Sequence, residues 1–322
     1  MKILITSAGR RVSLVRAFKK EIKINFDDGK VFTADMNPEQ SPACNVSDKY
    51  FKVRKVTDPQ YIDELLSLCI KNDIKLIIPT IDQELQVFAD HKYLFDNSNI
   101  HLVISSSLFV ANCRDKRKTS NFFLKNGIDV PVLMDKNNPS FPLFIKPYDG
   151  SLSLETYLIK TEFELTDYHR ENERFMFMEY IDQKTNEEFT VDMYYGRDHV
   201  VKCIVPRKRI SVRAGEVSKG LTCKNVIVPF LKKRLEKIEG AVGCLTLQVF
   251  LNKETQNIRA FEINPRFGGG YPLSYAAGAN FPKWLIEEYL LSQEISYSDN
   301  WESNLLMLRY DDEILIHDYK NC

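Results

Sequence analysis

The first hundred residues alternate short apolar runs with apolar stripes of helical spacing. Four runs have the length and composition of buried strands: residues 2–7, 31–34, 75–78 and 101–105. Two stretches between them repeat apolar residues every three or four positions: residues 11–22, with Leu14, Phe18 and Ile22, and residues 58–71, with Ile62, Leu65, Leu66 and Cys69. Strands that alternate with helices predict a doubly wound α/β unit with a parallel sheet.

Later in the chain, two alternating segments predict an antiparallel hairpin. Residues 245–251 and residues 257–264 each alternate apolar and polar positions, as a half-buried strand does. The polar segment between them is typical of a turn. If the residues pair symmetrically about this turn, Gln248 lies roughly opposite Phe261 and Glu262.

The second of these strands carries a candidate metal site. Glu262 and Asn264 are two residues apart, so we expect both on one face, with Phe261 and Ile263 on the other. Together with Gln248 they offer one carboxylate and two amide oxygens. Magnesium usually takes one or two carboxylates from a protein and completes its shell with water and substrate phosphates. The pattern therefore predicts a magnesium site.

Arg266 lies just past the end of this strand, where a fixed cation can bind a phosphate. Residues 261–270 by themselves leave one alternative open. Glu262 and Asn264 could form the solvated face of an edge hairpin, with glycines 268, 269 and 270 as a flexible turn.

The residues around this motif resemble the ATP-grasp superfamily, and in particular the branch of the carbamoyl phosphate synthetase large subunit and the pyrrolysine-forming ligase. Gln248, Glu262 and Asn264 match that branch's metal-binding set, including the spacing of 14 residues between Gln and Glu. Four further landmarks precede them in the same order: residues 114–116, which open a predicted helix over residues 113–126; residues 144–147; residues 177–181; and residues 188–192. The resemblance covers residues 1 to about 285.

The resemblance implies an α/β fold with an N-terminal doubly wound parallel-sheet (pre-ATP-grasp) domain and a two-lobed α+β ATP-grasp module. The implied domains are residues 1–110; residues 111–182, the small lobe with the phosphate loop and the hinge; and residues 183–322, the C-terminal lobe with the metal site and a C-terminal extension. The implied cofactors are ATP and Mg²⁺, with Mn²⁺ as an alternative ion.

The resemblance also implies roles for individual side chains. Lys116 and Lys146 would bind phosphates, Glu179, Tyr180 and Ile181 would hold adenine, and Glu188 would bond the ribose, a role for which the neighbouring Glu187 competes. Lys146 also interrupts an otherwise apolar strand, and a lysine that points inward needs a partner such as phosphate. A surface lysine is the alternative.

The phosphate loop departs from the family pattern. Residues 149–154 contain one glycine and no basic residue, whereas the family has a mobile glycine-rich loop here. Ser151 and Ser153 are the expected phosphate-binding residues of this loop.

A basic segment follows between residues 202 and 213. Alternation would place Arg207, Arg209 and Arg213 on one face, where they could bind a substrate carboxylate or stabilise a transferred phosphoryl group. We expect Arg209, with Lys146 and Arg266, to act in catalysis. A strand that faces solvent is the alternative. Gly269 and Gly270 allow close backbone approach and are expected at the acceptor pocket.

The first βα turn lacks the glycine fingerprint of dinucleotide-binding proteins, so a nicotinamide cofactor is rejected. Ligands of such sheets bind beyond the carboxyl ends of the strands, which brings Ser7, Asp35, Asp82 and Glu84 to one rim. Asp82 and Glu84 could bind the ammonium group of a substrate. A helix-capping role for Asp82 is the alternative.

The composition of the chain argues against several classes of partner and site. Lys plus Arg and Asp plus Glu both number 44, which gives no electrostatic case for a nucleic acid or membrane partner. The apolar runs are too short to span a bilayer, and seven scattered cysteines suggest neither zinc nor disulfides, so a cytoplasmic location is expected. Small-molecule carboxylate and amine substrates are the expected partners, and a homodimer is left open.

These parts predict a ligase that joins a carboxylate to an amine through an acyl phosphate and releases ADP and phosphate. Catalysis would depend on positioning rather than on a protein nucleophile. Two alternatives remain open at this point: a kinase or carboxyphosphate-forming enzyme, and a nucleotide-binding module without turnover.

Overall fold

The structure is a computed structural model that describes residues 1–150, 154–213, 215–317 and 319. Strands and helices alternate at the start of the chain. In order they are β1 (Lys2–Thr6), α1 (Val12–Asn25), β2 (Lys30–Asp35), a 3₁₀ turn (Pro38–Gln40), α2 (Pro42–Asn45), β3 (Lys49–Lys52), α3 (Tyr61–Lys71), β4 (Leu76–Ile78), α4 (Asp82–Asp90), α5 (Lys92–Asn97) and β5 (His101–Leu102).

The chain then becomes richer in antiparallel strands. The elements are α6 (Ser107–Arg114), α7 (Lys116–Lys125), β6 (Leu143–Pro147), β7 (Tyr157–Ile159), a 3₁₀ turn (Glu162–Glu164), α8 (Asp167–Glu171), β8 (Phe175–Glu179), β9 (Asn186–Tyr195), β10 (Val201–Arg213), β11 (Glu216–Thr222), α9 (Ile227–Arg234), β12 (Gly243–Asn252), β13 (Ile258–Asn264), α10 (Tyr271–Ala276), α11 (Phe281–Leu290) and β14 (Leu306–Leu308).

The chain divides into two compact units. The first consists of Met1–Ile104, Asn280–Ile295 and Met307–Cys322, and the second of Ser105–Ala279 and Ser296–Leu306. Residues 280–295 therefore pack with the N-terminal unit, whereas the sequence-based boundary put them in the C-terminal lobe. The predicted boundaries at residues 110 and 182 stay predictions.

The first unit is built on a parallel sheet with strand order β3-β2-β1-β4-β5. Its central strand β1 places Ile3, Leu4 and Ile5 completely out of solvent, as expected where helices cover both faces of a parallel sheet. The predicted α/β unit is thus confirmed. Strand β3 was not predicted, because it is an edge strand of mostly exposed residues and has no apolar pattern.

The larger antiparallel sheet has six strands in the order β13-β12-β9-β10-β11-β14, of which the first five lie in the second unit, and the second unit also contains a three-stranded sheet of order β7-β6-β8. One face of the larger sheet is apolar and packs against side chains of α6, α7 and α9. The residues of β9 that alternate with this apolar set are Glu188, Thr190 and Asp192. They begin the polar face on which the candidate site is built.

The predicted single helix over residues 113–126 is wrong. The structure has two helices, because Asp115 adopts an extended backbone between them and caps α7. Its carboxylate accepts the Arg117 N–H at 2.9 Å. An Asp that satisfies a free N–H at a helix start stabilises a new helix rather than continuing the old one.

Among the described residues, no helix has the length and apolar character needed to cross a membrane.

Candidate active site

The predicted metal ligands meet on the hairpin of β12 and β13. Gln248 lies directly opposite Glu262, and Thr246 lies opposite Asn264. The predicted pairing of Gln248 is therefore confirmed for Glu262. On its other side Gln248 pairs with Thr190 of β9, so the set continues the polar face of the large sheet.

The side chains of this set fit a hard cation. The Asn264 side-chain amide donates through Nδ2 to Glu262 Oε1 at 3.1 Å. This bond turns the Asn264 carbonyl oxygen away from the carboxylate and leaves it available, together with the second Glu262 oxygen, as a ligand. One carboxylate and two amide oxygens form the oxygen-only shell that Mg²⁺ or Mn²⁺ accepts, with the remaining positions left to water and phosphate.

Phe261 does not lie where alternation places it. A register shift between Gln248 and Val249 makes Phe261 the extra residue of a bulge in β13. Its ring stacks on Phe250 with centroids 4.7 Å apart, and Lys146 Nζ lies 5.1 Å from its centroid. The expectation that Phe261 shares the face of Ile263 is wrong: Phe261 lies beside the site, while Ile263 is in the core.

Lys146, on β6 of the three-stranded sheet, also lies at this site. It is only 8% exposed, on β6, with its ammonium over the Phe261 ring. The pKa of Lys146 is lowered to about 8, chiefly by burial; attraction to Glu262 and Glu188 opposes this change, and the charge of Lys116 adds to it. A buried lysine between two carboxylates and a second lysine is poised to receive an anion.

Lys116 reaches the start of the phosphate loop from α7. Its ammonium donates to the Gly150 carbonyl at 2.5 Å, and its backbone N–H donates to the Tyr148 carbonyl at 2.8 Å. Gly150 directly precedes the residues proposed to bind phosphate. Ser151 and Ser153 themselves lie outside the described residues.

Glu188 forms an ion pair with Arg209 at 2.9 Å. Burial raises the pKa of Glu188, and the Arg209 guanidinium opposes this change. Its competitor Glu187 pairs instead with Lys208 at 2.6 Å, in a more exposed position. Glu188 also interacts electrostatically with Lys146. The ribose role of Glu188, with Glu187 as its competitor, stays a prediction.

The predicted adenine segment follows β8. The backbone N–H of Glu179 donates to the Val132 carbonyl, and its carboxylate accepts the Val132 N–H and pairs with Arg259 at 3.1 Å. The Glu179 side chain thus anchors this segment, which continues with the half-buried Tyr180 and the buried Ile181. The adenine role of this segment stays a prediction.

The three arginines of β10 do not share one environment. Arg207 is 2% exposed and makes a bidentate ion pair with Asp192 at 2.7 and 2.9 Å, whereas Arg209 borders the site and Arg213 is exposed. Register shifts between Arg209 and Val212 interrupt the alternation. The expectation that Arg207 binds substrate is wrong, because Arg207 is buried and its Nε and Nη2 already hold the Asp192 carboxylate.

Side chains pack closely on the glycines after Arg266. A Cβ on Gly269 would lie 2.6 Å from Glu216 Oε1, and one on Gly270 would overlap the Arg207 guanidinium. The buried Arg207 explains Gly270, whereas the flexible Glu216 side chain could move away from a Cβ at position 269. A role of both glycines at an acceptor pocket stays a prediction. Arg266 is half-buried, and its guanidinium donates to the Phe267 carbonyl at 3.2 Å.

In the first unit, Glu84 is fully buried and is already bonded. Its carboxylate accepts the Ser7 hydroxyl at 2.8 Å and the N–H groups of Thr80 and Ile81 at 2.6 and 3.2 Å. Asp82, in contrast, occupies the first position of α4. The expectation that Glu84 binds a substrate ammonium is wrong, because its carboxylate joins the ends of β1 and β4 instead.

Replacement of Glu84 by glutamine should change how stability depends on pH. Burial raises the pKa of Glu84 to about 7, from an ordinary value of 4.5. Between these two values the unfolded chain releases a proton that the folded chain keeps, so wild-type stability falls as pH rises from 4.5 through 7. A glutamine side chain at this position can accept the same two backbone N–H groups through its oxygen and donate to the Ser7 hydroxyl oxygen through its NH2, without titrating.

The free energy of unfolding of the Glu84→Gln variant, relative to that of wild type, should therefore increase by roughly 2–3 kcal/mol as the pH rises from 5 to 8. Urea midpoints at several pH values measure this, with the exposed Glu39→Gln as control. A difference that does not change with pH would contradict the prediction.

Sequence analysis missed Asp192, Thr246 and Phe250 as residues of this face. The signal for Asp192 was present, because Glu188, Thr190 and Asp192 alternate along β9. Thr246 is likewise two residues from Gln248. Both residues could have been found by continuing the two-residue alternation of each strand from Glu188 and from Gln248.

A parallel α/β unit is followed by an antiparallel sheet whose polar face carries Gln, Glu and Asn beside two lysines, which is the arrangement that the ATP-grasp resemblance implies. Comparison with known proteins agrees. Residues 3–103 match the family model of the PylC-like N-terminal domain, and residues 171–310 match the model of ATP-grasp in the biosynthetic pathway with Ter operon. The chain thus combines a PylC-like N-terminal domain with an ATP-grasp domain, and the predicted superfamily is confirmed.

Solved structures share this fold at low sequence identity. Biotin carboxylase from Campylobacter jejuni, in complex with β,γ-ATP, is 14% identical with a TM-score of 0.72 over 95% of this chain and 74% of that one. N5-carboxyaminoimidazole synthetase from Staphylococcus aureus, with ADP, is 15% identical with a TM-score of 0.70 over 92% and 78%. The L-amino acid ligase from Bacillus licheniformis is 16% identical with a TM-score of 0.67 over 90% and 74%. No curated protein matches the chain by sequence.

Proposed function

We propose that this protein is an ATP-dependent carboxylate–amine ligase that works through an acyl phosphate. The observation that carries the proposal is the position of Lys146, which is buried over Phe261 and interacts electrostatically with Glu262, Glu188 and Lys116. A cation held beside an oxygen-ligand set suits a metal–triphosphate, since both the metal and the phosphates find their partners on one polar face.

The candidate metal ligands and the cations beside them would divide the tasks of this reaction. Gln248, Glu262 and Asn264 would hold Mg²⁺, which when bound would link the protein to the ATP phosphates and offset their charge. Lys116 and Lys146 would hold the phosphates, and Phe250 and Phe261 provide an apolar surface beside them. Arg266, just past the end of β13, would stabilise the charge on the transferred phosphoryl group.

The chemistry proceeds in two balanced steps. An oxygen of the substrate carboxylate attacks the γ-phosphorus, and the bond from that phosphorus to ADP breaks. The amine then attacks the acyl carbon, loses a proton, and displaces phosphate, which keeps the carboxylate oxygen. Positioning and charge stabilisation supply the rate, because neither step needs a nucleophile from the protein.

ADP release from purified protein tests the proposal. Mg²⁺-ATP is incubated with pooled carboxylic acids, bicarbonate included, with and without pooled amines, and Glu262→Ala serves as the blank. ADP that requires both an acid and an amine supports the ligase. ADP formed without an amine would favour a kinase or a carboxyphosphate-forming enzyme, and nucleotide binding without ADP in any pool would favour an inactive module.

The pKa of Lys146 predicts a pH dependence of nucleotide affinity. With a pKa of about 8, Lys146 is charged at pH 7 and largely neutral at pH 9 in the free protein. Because phosphates bind its charged form, affinity for Mg²⁺-ADP should fall about tenfold between these pH values. Calorimetric titration at pH 7, 8 and 9 measures the change, and constant affinity would contradict the role of Lys146.

A further inference from the structure

A buried polar network lies next to the metal ligands and has no task in the reaction described above. Its centre is Asp192, which is completely buried on β9. Asp192 accepts two hydrogen bonds from Arg207, at 2.7 and 2.9 Å, and one from the Ser274 hydroxyl of α10, at 2.6 Å. Thr246 is paired with Asp192 across the sheet and completes the set. We call Asp192, Arg207, Thr246 and Ser274 the Asp192 network.

Thr246 connects this network to Arg266. Its hydroxyl lies 3.0 Å from the Arg266 carbonyl and 3.4 Å from an Asp192 oxygen. A hydroxyl has one proton to donate, and the shorter contact has the better hydrogen-bond length. Thr246 therefore holds the backbone of Arg266 at the end of β13.

The other end of the same turn is held by Arg207 and Ser274. The Arg207 guanidinium packs so closely on Gly270 that a Cβ there would overlap it. Ser274, four residues further, bonds Asp192 directly. The segment from Arg266 to Ser274 is thus fixed to β12 at its start and to β9 and β10 at its end.

Stability alone does not explain a buried ion pair such as that of Asp192 and Arg207. Burial of an ion pair costs solvation energy that its attraction barely repays, and apolar residues of the same volume often stabilise as well or better. What buried, fully bonded polar groups supply in addition is one defined geometry. The network contacts the Arg266 backbone through Thr246, so the geometry that it defines is that of the turn beginning at Arg266.

We infer that the Asp192 network consists of positioning residues that fix the Arg266 turn against the metal-binding strands. The inference rests on the proposed function, in which Arg266 stabilises the terminal phosphoryl group. Loosening the turn should then weaken interactions with the γ-phosphate while leaving those with the rest of the nucleotide in place.

The test compares Thr246→Val with Thr246→Ser. Valine has nearly the shape of threonine but cannot bond the Arg266 carbonyl, whereas serine keeps the hydroxyl. The matched control is Thr33→Val in the first unit, where a fully buried strand threonine also loses a hydroxyl contact, 3.0 Å from Ser47 Oγ. Dissociation constants are measured for Mg²⁺-ADP and for a non-hydrolysable Mg²⁺-ATP analogue.

For Thr246→Val, affinity for the ATP analogue should fall about tenfold, and affinity for ADP should change less than about twofold. Thr246→Ser and Thr33→Val should retain the wild-type ratio of the two constants. With an acid and an amine in hand, Thr246→Val should also lower kcat without a matching rise in the KM for the amine.

Equal constants in Thr246→Val and wild type would overturn the inference alone, as would an equal loss for both nucleotides. Wild-type protein that binds neither nucleotide would overturn the proposed function and the inference with it. If Thr246→Val does not fold, Ser274→Ala takes its place, because it frees the other end of the turn and leaves the Asp192–Arg207 pair intact. It should reduce the preference for the ATP analogue in the same direction, and an unchanged preference would contradict the inference.

Discussion

Glu262→Gln should lose substrate-dependent ADP release almost completely, by about 1,000-fold, while the protein remains folded. Glu262 is the only carboxylate among the three proposed metal ligands, so this substitution removes the negative charge from the ligand set. The glutamine keeps an oxygen that can accept the Asn264 amide, now at 3.1 Å from Glu262 Oε1. The loss should therefore come from weakened metal binding and not from a disturbed hairpin.

Measurement of ADP release over a range of Mg²⁺ and Mn²⁺ concentrations checks this expectation. Glu254→Gln in the exposed turn of the same hairpin is the control, since it removes the same charge away from the site. Partial recovery of Glu262→Gln at high metal concentration would fit a weakened metal site. Wild-type activity at ordinary metal concentrations would contradict the assignment of Glu262.

Lys146→Met should weaken binding of Mg²⁺-ATP by about 100-fold, because it removes a buried cation from the phosphate site. Methionine has a similar length and suits the apolar contact with Phe261, so the small sheet should keep its packing. The variant should also lose the decrease of nucleotide affinity above pH 8 that is expected of wild type.

Calorimetric titration gives both quantities. Lys160→Met is the control, because Lys160 directly follows β7 in the same small sheet and is exposed. Affinity for Mg²⁺-ATP within about threefold of wild type in Lys146→Met would show that the lysine does not hold phosphate.

Local patterns were sufficient where pairing is regular. The period of two along β12 and β13, with one polar turn between them, was enough to bring Gln248 opposite Glu262. The alternation of strands and helices likewise predicted the parallel unit around β1. In these places each residue's environment follows from its immediate neighbours in sequence.

The sequence-based predictions were wrong where distant contacts or irregular backbone geometry determine the environment of a residue. A single bulge in β13 moved Phe261 beside the site, and sequence spacing has no signal for such an insertion. Arg207 and Glu84 look like exposed ligands in sequence, yet partners 15 and 77 residues away, Asp192 and Ser7, bury them in closed networks. Helix α11 joins the first unit by packing on α1, a contact that no local pattern records.

The fate of one oxygen atom tests the acyl-phosphate reaction most directly. The acid that supports ADP release is prepared with ¹⁸O in its carboxylate and converted by the enzyme with Mg²⁺-ATP and the amine, and the released phosphate is examined by mass spectrometry. The proposed chemistry predicts one ¹⁸O atom in each phosphate, because the attacking carboxylate oxygen leaves with phosphorus. Phosphate without ¹⁸O would contradict it, since ATP would then be cleaved without phosphorylation of the carboxylate.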